Sequence, residues 1–176
     1  MRTRRKRFTS LRGVGVTAPP NSTSRFMIEE CATVAQPGWL ALRRSLWPDG
    51  SEPEHLAEMG RFLEQPARYG QFVSYTDFGV PAGLAEASVR TDHVNGTDSS
   101  PVAFLEGLYV VPAYRRSGIA RALVAAVANW SVERGCSEFA SDAALDNEVS
   151  RAVHRSLGFV ETERVVFFRK ALRRDA

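Results

Sequence analysis

The segment from residue 115 to residue 120, Arg-Arg-Ser-Gly-Ile-Ala, has the composition of an anion-binding loop. It lies between an apolar run that predicts a buried strand and a periodic apolar pattern that predicts an amphipathic helix. A loop in this position directs successive backbone N–H groups at one point, beside the positive N-terminus of the helix. Because Gly118 also allows close approach to the backbone, the segment predicts a phosphate or pyrophosphate site. Neither the P-loop pattern nor the three-glycine dinucleotide pattern occurs.

Two carboxylates stand where they could take part in proton transfer. Glu106 interrupts the apolar residues 102–111, where a charge is costly unless it is paired or functional. Asp142 follows a short predicted strand at 138–141, at the end where open α/β sheets bind ligands. Either could serve as a general acid or base. The alternatives are a Glu106 side chain that faces solvent and a solvated aspartate at a strand end.

Charge is divided unevenly along the chain. Residues 1–26 contain seven basic residues and no acidic one, whereas the other 150 residues contain 16 basic and 20 acidic residues, a net charge of −4. The acidic body favours a small cationic ligand over nucleic acid. We interpret residues 1–26 as a disordered basic extension, or as the product of a start codon assigned too early, with Met27 the true first residue. A nucleic-acid tail, a membrane tail or a targeting peptide would also fit.

The composition of the chain limits its class. No apolar run is long enough to span a membrane, and the two cysteines, Cys31 and Cys136, show neither a disulfide framework nor the spacing of metal ligands. We therefore predict a cytoplasmic protein that does not bind the membrane, without a metal, in which residues 27–176 form a single domain.

The predicted elements indicate a mixed α/β domain. Strands are predicted at residues 26–30, 69–75, 83–90, 103–111 and 138–141, with one or two more between 159 and 168. Helices are predicted at 37–47, 53–64 and 119–133, and from a cap at Asp146 or Asn147 to residue 157. Gly107 predicts a bulge in the strand 103–111. In this order the anion-binding loop follows the most apolar strand.

The loop and its surroundings resemble the GNAT superfamily of N-acetyltransferases. Arg115-x-x-Gly118-x-Ala120 matches the superfamily's pyrophosphate loop, and Asn147, Ala152 and Gly158-Phe159 follow in family order. The resemblance implies a central, mixed and mostly antiparallel sheet that is splayed in the middle and flanked by about four helices, with acetyl-CoA as co-substrate. It assigns acetyl-CoA binding to Leu108, Tyr109, Val110, Arg115, Arg116, Ser117, Gly118, Ile119, Ala120, Arg121 and Asn147.

Several segments resemble one branch of that superfamily, the aminoglycoside 6'-N-acetyltransferases. They are residues 42–48, 92–101, 104–107, 140–142 and 159–165. The resemblance implies a substrate site lined by Trp47, His93, Glu106, Asp142 and Glu163. Carboxylates pair with ammonium groups, and an aromatic face stacks on a sugar ring or a cation. Trp47 could instead be a core residue, and Glu163 a strand residue that faces solvent.

Three positions depart from the patterns of these relatives. His93 and Phe168 stand where the branch often has tyrosine, and His154 stands where the superfamily often has the tyrosine that protonates the leaving thiolate. His154 is therefore a candidate for that role, with a packed helix residue as the alternative. The predicted mechanism is direct attack of the 6'-amine on the acetyl thioester, with Glu106 removing the proton through water.

Two other functions fit parts of the same sequence. An acetyltransferase for a polyamine, another metabolite or a protein lysine could use the same acidic residues. A non-catalytic acyl-CoA sensor, or a nucleic-acid-binding module that uses residues 1–26, would not need Glu106. Because the branch is often dimeric and shares its final strands, we expect a homodimer. The apolar residues 165–168 fit such edge pairing, and equally fit a strand buried within one chain.

Overall fold

The computed structural model describes residues 26–171. The strands within that range are β1 (Phe26–Glu30), β2 (Tyr69–Thr76), β3 (Pro81–Arg90), β4 (Val102–Val110) and β5 (Glu138–Ser141). The helices are α1 (Trp39–Leu46), α2 (Glu52–Leu63), α3 (Ile119–Val132) and α4 (Glu148–Ser156). The predicted basic extension lies outside the described residues, apart from Phe26, which already belongs to β1. The start of the chain at Met27 stays a prediction.

The strands form one sheet in the order β1-β2-β3-β4-β5. Neighbouring strands are antiparallel, except that β4 and β5 are parallel. That parallel pairing joins residues 102–105 to residues 138–141, whereas β4 continues to Val110. The second half of β4 therefore runs on beyond the end of β5. The mixed, mostly antiparallel sheet predicted from the sequence is confirmed, and the sheet opens where β4 and β5 part.

The pairing of β3 with β4 contains a bulge. Glu86 lies opposite Gly107 and Ala87 lies opposite Leu105, so Glu106 is the extra residue of β4. A bulge bends its strand and changes the direction of the side chain. The irregularity predicted at Gly107 is confirmed, and Glu106 is the residue that it redirects. Glycine is needed beside it, because a Cβ at position 107 would lie 2.6 Å from ring atoms of Trp47.

Helices cover both faces of the sheet. Helix α3 packs on one face, where Ile119, Leu123 and Val127 contact a cluster that includes Ala85 and Leu105. Helices α1 and α2 pack on the other face around buried apolar residues, which are Trp39, Leu42, Met59, Val73, Tyr75 and Leu84. Successive strand residues point to opposite faces, so β3 and β4 contribute to both layers. None of the helices in residues 26–171 is long and apolar enough to cross a membrane.

The one or two strands predicted between residues 159 and 168 are wrong, because the structure of the single chain has no strand there. Residues 159–171 form no helix or strand, and Phe167 and Phe168 are 86% and 94% exposed. A run of apolar residues does not make a strand unless another strand pairs with its backbone groups. The other predicted helices and strands agree with the structure to within a few residues. Asn147, not Asp146, caps α4, because its side-chain oxygen accepts a hydrogen bond from the Ser150 N–H at 2.9 Å.

Candidate active site

The loop between β4 and α3 turns sharply just before the helix. Arg116 and Gly118 both have left-handed backbone conformations, with φ of 61° and 94°. The Ser117 hydroxyl donates to the Tyr114 carbonyl, and Arg115 Nε donates to the Val110 carbonyl at 3.0 Å. Helix α3 then begins without a side-chain cap and without an acidic residue in its first turn. Its first N–H groups are therefore available to an anion.

Space in front of this loop is open within the described structure. A Cβ placed on Gly118 would meet no atom within 4 Å. The side chains of Arg115, Arg116, Ser117 and Arg121 are exposed, and Arg121 also donates to the Ser156 carbonyl at the end of α4. Ile119 is buried in the core, so it can contribute to binding an anion only through its backbone, and Ala120 is half-buried. Together these residues form a basic loop that fits a pyrophosphate.

The open edge of β4 continues from the loop towards the bulge. Leu108, Tyr109 and Val110 are half-buried and lie beyond the last residue of β4 that pairs with β5. An extended ligand could pair with this edge as an added strand does. Asn147 is exposed at the start of α4, and its side-chain oxygen already caps the helix. Its amide nitrogen is therefore the group that could contact a ligand.

The predicted substrate residues are divided between two cavities. The first, of about 840 Å³, lies between α1, α2 and the sheet, and both Trp47 and Glu106 line it. The second, of about 1100 Å³, lies beside β5 and α4, and it is lined by His93, Asp142, His154 and Glu163. Of the five residues proposed to contact substrate, Trp47 is half-buried and the other four are exposed.

Glu106 connects the two cavities through an ion pair with Arg90. Arg90 lines the second cavity, and its Nη2 lies 2.9 and 3.0 Å from the two carboxylate oxygens of Glu106. The Ser88 hydroxyl donates to the same carboxylate. The two charged side chains are 34% and 36% exposed, and an ion pair this open to water is worth about 0–1 kcal/mol. A substrate ammonium could therefore replace Arg90 at little cost.

A buried ion pair on the floor of the first cavity was not predicted. Glu86 is buried and accepts a hydrogen bond from Trp39 Nε1 at 2.6 Å, while Arg43 Nε lies 3.4 Å from the same oxygen. Burial raises the pKa of Glu86 to about 7, against the opposing effects of Arg43 and Trp39. A glutamate among small and apolar residues of β3 is the same signal that singled out Glu106, and it could have identified Glu86.

His154 points at the place where the sheet opens. Its Nε2 lies 2.9 Å from Ser141 Oγ, and its Nδ1 lies 2.8 Å from the Ser150 carbonyl oxygen. Because a carbonyl only accepts hydrogen bonds, Nδ1 carries a hydrogen and Nε2 faces Ser141. Ser141 pairs with Leu105, the last residue of β4 that has β5 as a neighbour. The imidazole is thus neither fully packed nor free in solvent.

The loop that carries His93 is attached to β5. Glu138 Oε2 accepts hydrogen bonds from the backbone N–H groups of Asp98 and Ser99 and from the Ser99 hydroxyl, and these bonds lower the pKa of Glu138. The same loop approaches the segment that carries Glu163, because a Cβ on Gly96 would overlap the Thr162 side chain. His93 and Glu163 are therefore brought to one side of the second cavity.

The described residues offer no arrangement for a metal ion. Within residues 26–171, no group of three or more histidine, cysteine, aspartate or glutamate side chains could hold one. The two cysteines in this range are free and buried.

Comparison with known proteins gives consistent results. The acetyltransferase (GNAT) family model matches residues 39–159. An aminoglycoside N(6')-acetyltransferase type 1 from Acinetobacter genomosp. 13 is 57% identical over 75% of this chain and 89% of its own length. The protein of the same name from Salmonella typhimurium is 48% identical over 75% of this chain and 90% of its own length.

Solved structures of similar sequence have the same fold as this chain. The 6'-N-acetyltransferase AAC(6')-Ih from Acinetobacter baumannii is 51% identical, with a TM-score of 0.78, and the match covers 84% of this chain and 99% of that one. AAC(6')-Iy, in complex with the bisubstrate analogue CoA-S-monomethyl-acetylneamine, is 44% identical, with a TM-score of 0.80 over 85% of this chain and 100% of that one.

Proposed function

The chain belongs to the GNAT acetyltransferase family, and from that membership we propose that it transfers the acetyl group of acetyl-CoA to the 6'-amine of aminoglycosides. The single structural observation that carries the proposal is the position of Glu106. This carboxylate is turned out of β4 by a bulge, at the opening of the sheet and between two cavities. A carboxylate there can receive an ammonium group on one side while a thioester lies against the open edge of β4.

Acetyl-CoA supplies the reaction with its activated acetyl thioester, and the chain has groups suited to each part of it. The uncapped start of α3 and the exposed arginines of the preceding loop would hold the pyrophosphate. The open edge at Leu108, Tyr109 and Val110 would pair with the pantetheine arm, and the amide of Asn147 would hydrogen-bond to it. Backbone N–H groups at the bulge would stabilise the oxyanion of the transition state.

Glu106 acts as the general base in this proposal. It removes the proton from the 6'-ammonium, directly or through one water, so that the free amine attacks the thioester carbonyl. Ser88 and Arg90 hold the carboxylate in place through their hydrogen bonds. The exposed ion pair with Arg90 is weak enough for the substrate ammonium to exchange with it, after which the Ser88 hydroxyl still holds the carboxylate.

The remaining predicted residues bind the acceptor. Asp142 and Glu163 are exposed carboxylates that line the second cavity, where they would pair with further ammonium groups of the drug. Trp47 lines the first cavity and would stack on a sugar ring. His93, on the loop that is attached to β5, would offer an aromatic ring and a polar imidazole nitrogen to the drug. The acceptor would thus span both cavities, with its reacting amine at Glu106.

His154 is the group that would return a proton to the leaving thiolate. Its Nε2 faces Ser141 Oγ at the point where β4 and β5 part, which is where a thioester on the open strand would lie. The Ser150 carbonyl fixes the orientation of the ring through Nδ1. When the ring is an imidazolium, Nε2 passes its proton to Ser141 Oγ while the Ser141 hydroxyl hydrogen moves to the thiolate, which leaves a neutral ring with its hydrogen on Nδ1.

We further propose that the protein is a homodimer that acts in the cytoplasm. Free, buried cysteines fit a reducing compartment. β5 ends the sheet formed by residues 26–171, and the apolar residues 165–168 are exposed beside no strand. A second copy that pairs its tail with this sheet would cover them.

Sedimentation should give twice the monomer mass, and changing Val166 and Phe168 to lysine should give monomers. A monomeric parent protein, or an unaffected dimer, would contradict this.

Thiol release from acetyl-CoA tests the proposed function. The rate should depend on kanamycin, which has a 6'-amine, with saturation at micromolar concentration, a typical range for enzyme substrates. A matched aminoglycoside with a hydroxyl at the 6' position should give no such rate. If acetyl-CoA binds but kanamycin produces no thiol, the substrate is another amine. An equal rate with the 6'-hydroxyl compound would mean that a different amino group is acetylated.

A further inference from the structure

We infer that Arg43 is a positioning residue whose guanidinium fixes the Trp47 indole in the orientation that receives the acceptor sugar. The inference rests on the proposed function, because it uses the role of Trp47 in binding that acceptor. No step of the proposed reaction uses Arg43 itself. The Arg43 side chain extends from α1 and is buried at the floor of the first cavity. It acts on the acceptor only through the Trp47 ring.

Arg43 lies between two aromatic rings. Its guanidinium carbon is 5.0 Å from the centroid of Trp47 and 5.3 Å from the centroid of Phe62. A planar guanidinium can stack on an aromatic face and be attracted by its π electrons, which a lysine ammonium does with a less defined geometry. Trp47 is half-buried, whereas the cation beneath it is almost fully enclosed. The rigid partner of this pair is therefore the arginine.

Contacts on other sides of Trp47 leave its ring little freedom. Ring atoms Cζ2 and Cη2 rest against Gly107, where an added Cβ would come within 2.6 Å of them. The Trp47 carbonyl oxygen lies 3.1 Å from Nε2 of His55, which is itself buried. Gly107 is the residue after Glu106. Holding the ring against it therefore keeps the surface that stacks on the sugar in the first cavity, which Glu106 also lines.

Arg43 is itself held by two carboxylates. Its Nη2 lies 2.8 Å from Glu58, and its Nε lies 3.4 Å from Glu86. Nε and Nη1 have no hydrogen-bond partner in the described part of the chain. Stability is not the only explanation of this arrangement, because apolar residues of similar volume often replace a buried ion pair at little cost or with a gain. A fixed cation beside a ring that lines the cavity is explained by the need to hold that ring.

Substitution of Arg43 by lysine tests the inference with the charge retained. Arg43→Lys should raise the KM for kanamycin about tenfold, because lysine keeps the charge but lacks the planar guanidinium that orients the indole. The kcat at saturating kanamycin and the KM for acetyl-CoA should change by less than about twofold, since neither depends on Trp47. Arg44→Lys is the matched control, because Arg44 is the next residue of α1 and pairs with Glu52 in solvent. It should leave all three parameters unchanged.

A double-mutant cycle separates positioning from a general effect on the fold. In a Trp47→Ala background, Arg43→Lys should cause no further rise in the KM for kanamycin. An equal rise in that background, or an unchanged KM in the single variant, would overturn the inference. If Arg43→Lys does not fold, Phe62→Leu keeps every charge and removes the second ring, and an unchanged KM there would overturn it. A parent enzyme without kanamycin-dependent thiol release would refute the proposed function instead.

Discussion

Glu106→Gln should lower kcat for acetylation of the 6'-amine by about 10²- to 10⁴-fold, the range that general-base catalysis contributes. Glutamine keeps the size of the side chain and can still accept hydrogen bonds from Ser88 and Arg90, but it cannot take a proton from the ammonium. The loss should shrink at high pH, where the amine is already deprotonated in solution and needs no base. The measurement is the rate of thiol release against pH at saturating kanamycin and acetyl-CoA.

The control is Glu52→Gln, which neutralises another exposed carboxylate. Glu52 pairs with Arg44 at 2.7 Å, and its side chain is 51% exposed, at the start of α2. It should keep the kcat of the parent enzyme. An unchanged kcat in Glu106→Gln, or the same loss in both variants, would exclude the assigned base. A loss that is independent of pH would indicate that the carboxylate binds the substrate and does not accept its proton.

Gly118→Val should raise the KM for acetyl-CoA about 5- to 150-fold, the factor that corresponds to 1–3 kcal/mol of strain at a left-handed backbone position. Gly118 has φ of 94° at the start of α3, and a β-branched residue avoids that region. The loop would relax to another conformation and turn its N–H groups away from the pyrophosphate. The KM for kanamycin should change little. The measurement is initial-rate kinetics with each substrate varied in turn.

Gly135→Val is a closely matched control for this change. Gly135 follows α3 with φ of 79°, and, as at Gly118, a Cβ there would meet no atom within 4 Å. It imposes the same kind of strain at the opposite end of the helix, so it should lower the melting temperature without changing either KM. If both variants raise the KM for acetyl-CoA equally, the rise is caused by the loss of stability of α3. In that case the loop would not be the pyrophosphate site.

Sequence patterns predicted the features that depend on local order. The turn between β4 and α3, the helix cap at Asp146 or Asn147 and the bulge next to Gly107 are each set by a few neighbouring residues. The periodicity of the helix that begins at Ile119 was equally local. Interactions between distant segments gave no such signal. The ion pair of Arg90 with Glu106 depends on the register of two strands, and the contact of Arg43 with Trp47 and Glu86 depends on how α1 packs on the sheet.

Residues 159–168 show a second limit of prediction from sequence, which is that a strand needs a partner. The apolar residues at 159–160 and 165–168 favour strands, but a strand forms only with a partner, and the described residues of one chain supply none there. Sequence order also could not show that the predicted acceptor residues divide between two cavities, with the ion pair of Glu106 between them.

The position of the acetyl group on the product tests the central claim most directly. Kanamycin incubated with the enzyme and acetyl-CoA should gain one acetyl group, and two-dimensional NMR should place it on the nitrogen at the 6' position. The Glu106→Gln variant should form the same product more slowly. An acetyl group on any other amine would contradict the proposed orientation of the drug across the two cavities, and unmodified kanamycin would contradict the proposed function itself.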